Sequence, residues 1–196
     1  MNLALFDFDG TITTHDTYTK FVLSHTTTFR LVCGATILTP FIILYKCKLL
    51  PSSLLRILIT KTAFKGVKVN TLTSRAKKYA NEYLPTVMRN EMLEKIKAHQ
   101  KNGDRVIIVS ASLSPYLVHW SSNMGVELIC SELEEKDGKF TGTYVNGDCS
   151  GKRKVVNIKK LVDLSSFENI IAYGDTKEDL EMLALANVKF YRGVMM

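Results

Sequence analysis

Residues 3–13 read Leu-Ala-Leu-Phe-Asp-Phe-Asp-Gly-Thr-Ile-Thr and place two carboxylates two positions apart at the end of an apolar run. Such a run is typical of a buried strand, in which alternate side chains point to the same side. Asp7 and Asp9 would then emerge together where Gly10 lets the backbone turn. Because two close acids repel and are costly to bury unpaired, the pattern favours a divalent cation between them. A strand that ends in an Asp-Gly turn with solvated acids is the alternative that this stretch alone leaves open.

The composition is that of an ordinary globular protein, with 46% hydrophobic and 23% charged residues in a chain of 196. This length accommodates one α/β core and a smaller appendage. No basic segment precedes the first apolar run and two acids interrupt it, so a signal peptide is not predicted. The cysteines form no Cys-x-x-Cys pair, which favours a reduced, cytoplasmic setting and makes zinc an unfavoured ligand. They are Cys33, Cys47, Cys130 and Cys149.

Short apolar segments alternate with helical patterns along most of the chain. This alternation predicts an α/β fold, with a mostly parallel sheet, helices on both faces and the site at the carboxyl ends of the strands. A small hairpin is expected around residues 139–145. Strands are predicted at residues 3–9, 105–110, 126–130, 169–173 and 188–191, and helices at about 114–123, 152–164 and 177–186.

About ninety-five residues separate the first two strands, far more than one crossover helix requires. Their pattern predicts helices that lie over the strand ends as an inserted cap. The expected division is a catalytic core of residues 1–13 and 81–196 with a helical cap of residues 14–80. The cap segments with helical pattern are residues 18–25, 31–45, 52–64 and 72–102, the last taken as one long helix.

The cap segment is both basic and apolar. Residues 14–80 contain eleven Lys and Arg residues and one acid, Asp16, whereas the whole chain has a net charge of +7. Residues 31–45 are apolar apart from two threonines, and Pro40 is expected to break them. Fifteen residues are fewer than the roughly twenty that span a bilayer. A buried cap helix or helical pair, and an interfacial element attracted to anionic lipid headgroups, both remain open.

Further polar residues follow the other predicted strands. Ser110 ends the second strand, Lys154 begins a helix after Gly151, and Asp175 and Asp179 follow the fourth strand. Each has an ordinary explanation alone: a turn serine, a solvated lysine, or an acid at a helix N-terminus. Because the strand ends meet at one edge, the set together supplies what phosphoryl transfer through a carboxylate needs. We therefore expect these residues to form one site with Mg²⁺.

These motifs resemble the four ordered motifs of the haloacid dehalogenase (HAD) superfamily. The residues that carry the resemblance are Asp7-Phe-Asp-Gly-Thr11, Ser110, Lys154 and Gly174-Asp-Thr-Lys-Glu-Asp179. The helical insertion is similar to the C1 cap of subfamily IB, the phosphoserine-phosphatase-like group. The resemblance implies a Rossmann-like core with a helical C1 cap, and a Mg²⁺-dependent phosphomonoester hydrolase.

The resemblance also implies a role for each site residue. Asp7 would be the nucleophile that forms an aspartyl-phosphate, and Asp9 the general acid and base. Asp7, the backbone carbonyl of Asp9 and Asp175 would hold Mg²⁺, with Asp179 supporting them directly or through water. The phosphoryl group would be bound by Ser110 and Lys154, helped by backbone amides near Gly10 and Thr11. Lys152 competes with Lys154 for this role.

The substrate and two other functions stay open. A small or lipid phosphate monoester is expected, since relatives in subfamily IB dephosphorylate phosphatidylglycerophosphate; a lipid substrate would agree with peripheral contact between the basic cap and an anionic membrane. Phosphoserine is the alternative, although its ammonium would lack a second acidic partner beside Asp16. A receiver-like phosphoacceptor is disfavoured by the long insertion. A nucleic-acid-binding module is disfavoured because the cap aromatics lie in apolar runs rather than between the charges.

Overall fold

The structure, a computed structural model, describes residues 1–196 and contains eight strands and eight α-helices. The strands are β1 (Leu3–Phe6), β2 (Arg105–Leu113), β3 (Glu127–Ser131), β4 (Leu133–Lys136), β5 (Lys139–Tyr144), β6 (Ile170–Gly174), β7 (Val188–Tyr191) and β8 (Val194–Met195). The helices are α1 (Thr17–His25), α2 (Thr28–Lys46), α3 (Ser52–Phe64), α4 (Val69–Lys78), α5 (Asn90–Lys101), α6 (Ser114–Met124), α7 (Lys152–Leu161) and α8 (Leu180–Leu183).

Six strands form one sheet in the order β3-β2-β1-β6-β7-β8, and β4 and β5 form a separate hairpin. All pairs in the six-stranded sheet are parallel except β7 with β8. This confirms the predicted mostly parallel α/β fold. Phe6 in β1 is in register with Ile108 on one side and Tyr173 on the other. Asp7 and Gly174, which follow two of these positions, therefore lie level with each other, whereas β2 continues beyond them to Leu113.

The central strand β1 is buried on both faces, as expected for a parallel strand covered by helices on each side. Ala4 and Phe6 belong to the larger hydrophobic cluster, which includes Phe21 of α1 and Trp120 of α6. Leu3 and Leu5 point the other way, into a smaller cluster with Ile158 of α7 and Met182 of α8. Because the two clusters pack on opposite faces of the sheet, they fix the position of its carboxyl edge and of the side chains there.

The prediction of one continuous helix over residues 72–102 is wrong. The structure has α4, a π-helical turn (Tyr79–Tyr83), a 3₁₀ turn (Leu84–Val87), an extended link and then α5. Pro85 has no amide hydrogen to continue an α-helix, which accounts for the change of hydrogen bonding there. The extended link is held by the loop after β1, since Met88 bridges to Thr13 and the amide of Arg89 donates to Ile12 at 2.8 Å.

The two ends of the helical insertion are thus hydrogen-bonded neighbours. Beside the Thr13–Met88 bridge, the amide of Thr14 donates to the carbonyl of Val87 at 2.8 Å. The chain leaves the sheet and returns to it through one short antiparallel junction.

Helix α2 is not broken at Pro40 as predicted, and of the two arrangements that the sequence leaves open for it, the buried one is not observed. It is continuous through Pro40, which is exposed, so water can reach the carbonyl that the missing amide leaves free. Of its nineteen residues only Gly34 and Leu38 are buried. By length and composition alone, α2 is also long and apolar enough to cross a membrane. A buried cap helix or helical pair is therefore not what the chain forms.

Candidate active site

A cleft of about 620 Å³ lies between the carboxyl edge of the sheet and helices α1–α3. The predicted site residues that border it are Asp7, Asp9, Gly10, Ser110, Lys154, Asp175 and Asp179. Thr11 borders a neighbouring cleft instead, together with Arg89 and Arg192. The strand ends therefore bring together all of the predicted side chains except that of Thr11, which donates a hydrogen bond to Asp175 at 3.3 Å.

Lys154 lies at the centre of the site. Its Nζ is 2.5 Å from Oδ1 of Asp7 and 2.6 Å from Oδ1 of Asp179, and the side chain is 1% exposed. Gly151, with φ of 50°, precedes α7 and lets this helix begin with Lys154 in its first turn. Lys152, the competing residue, is exposed. The geometry thus favours Lys154 over Lys152 as the cation of the site.

Burial shapes the charge state of this cluster. Burial raises the pKa of Asp7 to about 8, although the neighbouring Lys154 ammonium opposes this shift. Burial would lower the pKa of Lys154, but its two carboxylate partners hold it above its usual value. Burial would raise the pKa of Asp179, yet the same ammonium and its hydrogen bonds keep it below the ordinary range. Lys154 therefore stays protonated, and Asp7 lacks enough positive charge to be fully ionised at neutral pH.

Three acids at this edge form a candidate metal site. Carboxylate oxygens of Asp7, Asp175 and Asp179 lie within 4.8 Å of one another. One buried ammonium faces three acids, so the cluster has excess negative charge that a divalent cation would offset. One oxygen of Asp179 accepts hydrogen bonds from the amide and hydroxyl of Thr176, at 2.9 and 2.8 Å, and the other accepts from Lys154. Asp7 and Asp175 are therefore the better placed carboxylates for Mg²⁺, and the donor set fits this ion.

Two glycines allow the acids to approach so closely. Gly10 has φ of 81°, and a Cβ there would lie 2.3 Å from Oδ2 of Asp175. A Cβ on Gly174 would lie 2.6 Å from Cβ of Asp179. The amide of Gly10 also donates to Oγ1 of Thr13 at 3.3 Å, which shapes the turn after Asp9.

The Asp9 carboxylate points away from the acidic cluster. Its Oδ1 accepts hydrogen bonds from the amide and the hydroxyl of Thr17, both at 2.6 Å, and Oδ2 accepts from Ser112. Thr17 is the first residue of α1, whose N-terminal dipole favours a negative charge here. Burial raises the pKa of Asp9 to about 6, against the effect of these hydrogen bonds. A carboxyl with such a pKa can both donate and accept a proton near neutral pH.

Sequence reasoning missed the partners that orient Asp9. Ser112 lies two positions after Ser110 in β2, and this spacing places both hydroxyls on one side of a strand. This Ser-x-Ser spacing could have indicated that Ser112 lies beside Ser110 in the site. Ser110 itself is buried, and its Oγ accepts a hydrogen bond from the amide of Ser112 at 3.0 Å. The strand continues to Leu113 with a register shift against β3 after Val109, so Ser110 lies within β2 rather than at its end.

Arg56 of α3 connects the helices above the cleft to the core. Its guanidinium forms a bidentate pair with Asp148, at 2.8 and 2.9 Å, and a second pair with Glu178 at 2.8 Å. Ser52, at the start of α3, also donates to Glu178. The charge of Arg56 is thus fully used within the protein. These partners are 92 and 122 positions from Arg56, so no local pattern could have indicated them.

The side of the cleft formed by α1–α3 combines polar residues, Thr19, Ser52 and Arg56, with apolar ones. Tyr18, Tyr45, Leu55 and Ile59 line it, and an apolar groove between α1, α2 and α3 shares Tyr18 and Ile59 with the cleft. The groove has a volume of about 180 Å³. The cleft and the groove therefore adjoin at these shared residues.

Comparisons with known proteins agree with this geometry. Residues 4–184 match the family of haloacid dehalogenase-like hydrolases. Protein CicA of Caulobacter vibrioides (strain NA1000 / CB15N) is 29% identical, over 97% of this chain and 85% of the Caulobacter protein. A protein of unknown function from Bordetella pertussis Tohama I has a similar structure, with a TM-score of 0.78 and 18% identity over 96% of this chain and 88% of its own. A phosphoserine phosphatase, solved as a phospho-aspartyl intermediate analogue, has a TM-score of 0.64 and 19% identity, covering 95% and 84% of the two chains.

Proposed function

The chain belongs to the haloacid dehalogenase-like hydrolases, and from this premise we propose that it is a Mg²⁺-dependent phosphomonoester hydrolase that acts through a phospho-aspartyl intermediate on Asp7. The observation that carries the proposal is the buried contact of Lys154 with both Asp7 and Asp179, beside the third acid Asp175. A lysine held there can bind a phosphoryl oxygen next to the attacking carboxylate. The phosphoserine phosphatase of similar fold supports the same chemistry by analogy.

In the first step, a carboxylate oxygen of Asp7 attacks phosphorus and the ester P–O bond breaks. Asp9 gives its proton to the leaving oxygen, which departs as an alcohol. In the second step, Asp9 takes a proton from water as the water oxygen attacks the aspartyl-phosphate. Inorganic phosphate leaves, and Asp7 is restored as a carboxylate. The pKa of Asp9, raised to about 6 by burial, suits both proton transfers.

Other residues bind and orient the phosphoryl group. We propose that Lys154 and the hydroxyl of Ser110 contact its oxygens, and that Thr17 and Ser112 hold the Asp9 carboxyl toward the leaving group. Asp7, Asp175 and the backbone carbonyl of Asp9 would hold Mg²⁺, with Asp179 behind them. When bound, Mg²⁺ would neutralise charge on the phosphoryl oxygens. Residues 14–80 are proposed to form the cap that covers this chemistry.

The lining of the cleft favours a phosphate ester with an apolar group. Tyr18, Tyr45 and Ile59 offer apolar contacts, and the adjoining groove extends them. Phosphoserine, the alternative, carries a carboxylate that needs a free cation in the cap. Arg56 borders the cleft but is already paired with Asp148 and Glu178. A lipid phosphate monoester, such as one resembling phosphatidylglycerophosphate, is therefore the preferred substrate class.

The test is phosphate release by the full chain from a panel that includes p-nitrophenyl phosphate, phosphoserine and lipid phosphates. We expect turnover that needs Mg²⁺ and that is fastest with a lipid phosphate. During turnover, borohydride reduction should convert Asp7 to homoserine, which peptide mass spectrometry identifies. Turnover without labelling of Asp7, or turnover in EDTA, would contradict the mechanism. Faster hydrolysis of phosphoserine would contradict only the substrate class.

A further inference from the structure

Helix α2 presents an exposed apolar surface unlike that of any other element. Eighteen large hydrophobic residues of the chain are exposed, and half of them lie between Leu23 and Leu54. Phe29, Val32 and Ile37 are 78%, 63% and 62% exposed. Six of these nine residues, in α2 and the turn that follows it, are here named the α2 ridge: Phe29, Val32, Ile37, Ile43, Leu44 and Leu49. A ridge of this kind marks a contact with something outside the chain.

Three residues of the α2 ridge point directly away from the protein, and Ile37 and Leu44 lie on the flanks of the helix. At 3.6 residues per turn, Phe29, Val32 and Ile43 fall on the side of α2 opposite Gly34 and Leu38, the two buried residues. The helix is neither a core helix, since so little of it is buried, nor a leader peptide, since β1 precedes it and pairs in the centre of the sheet. Its apolar side chains therefore need another explanation.

The charges around the ridge point to an anionic partner. Residues 17–64 contain no Asp or Glu and six Lys or Arg residues. Lys46 and Lys48 are exposed at the C-terminal end of α2, and Lys20 is exposed on α1. A second copy of the chain would bring the same positive charges into contact, so repulsion disfavours self-association through this surface. A lipid surface with anionic headgroups matches both the apolar residues and the charges.

We propose that α2 docks on an anionic lipid bilayer, with the α2 ridge in the headgroup and upper acyl region and the lysines near the phosphates. The helix lies along the interface because it is attached to α3. Gly34 packs so closely on Thr62 that a Cβ there would lie 2.8 Å from its methyl group. The Arg30 guanidinium donates to the carbonyls of Ala63 and Lys65, both at 2.9 Å. A helix that crossed the bilayer would lose these contacts.

The last turn of α2 also borders the catalytic cleft, on the side of the helix that faces α3. Tyr45, in the last turn of α2, lines the cleft that contains Asp7. The docking itself does not depend on the proposed function, because it needs only the surface residues of α2 and its neighbours.

Vesicle flotation of the full chain tests the docking. We expect flotation with vesicles of equimolar phosphatidylglycerol and phosphatidylcholine, and little with phosphatidylcholine alone. The double variant Val32→Glu/Ile43→Glu should bind on the order of tenfold more weakly, since it places two acids in the ridge. Lys46→Gln/Lys48→Gln should weaken binding several-fold and reduce its dependence on salt.

The matched control is Val118→Glu/Val145→Glu, which changes two valines that are each 51% exposed outside the ridge. It should float like the unaltered chain, as should Asp7→Asn. Absence of flotation at low salt, or equal binding by the ridge variant, would overturn the proposal. So would a lipid-free dimer, seen by light scattering, that the ridge variant dissociates. Protein that resists extraction by alkaline carbonate would show a bilayer-spanning helix and overturn the interfacial placement.

Discussion

The charged residues at the carboxyl edge of the sheet are mostly buried, whereas those of the helices α1–α3 above it are mostly exposed. At the edge, Asp7, Asp179 and Lys154 are buried and in direct contact. In α1–α3, Arg56 alone forms an ion pair and Arg30 donates to backbone carbonyls, while the lysines face solvent beside exposed apolar residues. The edge is organised by contacts within the chain, and its chemistry can be derived from them. The partner that we propose for the helices lies outside the chain.

The largest expected effect comes from Asp7→Asn, which removes the proposed nucleophile from the edge. Hydrolysis of p-nitrophenyl phosphate should fall by at least about a thousandfold, because the amide cannot form the covalent intermediate. Vesicle flotation should not change, which separates the two regions in one variant. Circular dichroism checks that the fold is kept. Residual activity above a tenth of the original would exclude Asp7 as the nucleophile.

Lys154→Met tests whether the edge depends on its buried cation. Three acids would then face one another without a positive charge, so we expect a loss of about 3–5 kcal/mol in the free energy of unfolding. Urea denaturation in EDTA measures it. Addition of Mg²⁺ should restore part of the loss, since the ion offsets the same charges. Lys152→Met, at the exposed neighbouring lysine, is the control and should lie within about 0.5 kcal/mol of the unaltered chain.

Arg56→Gln tests the one ionic connection between α1–α3 and the core. The change leaves Asp148 without its cation in a nearly buried site, and we expect a loss of about 1–3 kcal/mol in unfolding free energy. Faster amide hydrogen exchange in α3 than in the sheet would locate the loss at the cap. Lys61→Gln, on the same helix but exposed and unpaired, should leave both measurements unaltered. Equal effects of the two changes would mean that Arg56 does not connect the regions.

The smallest effect is expected for Val32→Glu/Ile43→Glu in the absence of lipid. Both side chains are exposed, so the unfolding free energy should change by no more than about 0.5 kcal/mol. Turnover of p-nitrophenyl phosphate in solution should also stay the same. A cooperative unfolding curve shifted by several times this amount would show that the ridge packs within the protein. The proposed difference between the two regions, with buried charges at the edge and an unpacked apolar ridge on α2, would then be wrong.

The edge of the sheet was the more predictable region. Asp7, Ser110 and Asp175 lie at or near the ends of strands that can be recognised as short apolar runs, and parallel strands deliver their ends to one edge. The position of Lys154 was predictable because a helix begins directly after Gly151, which places Lys154 in its first turn. The direction of the Asp9 carboxylate was not predictable, since it depends on Thr17 and Ser112 from two other elements.

The helical insertion was less predictable, for two physical reasons. The apolar pattern of α2 shows that its side chains are hydrophobic, but it does not show whether another part of the chain covers them. The apolar spacing also continues past Pro85, while the extended link at Met88 is set by pairing with Thr13, far away in the sequence. Tertiary pairing of this kind overrides the local preference for helix.

The junction at Thr13 and Met88 has a consequence for how such a chain can change over evolutionary time. Because entry and exit of the insertion lie side by side, the path of the core would be the same for an insertion of another length or composition. Whole modules could be exchanged at this junction while the catalytic edge is inherited intact. New substrates could therefore be acquired by replacing what lies between two hydrogen-bonded neighbours.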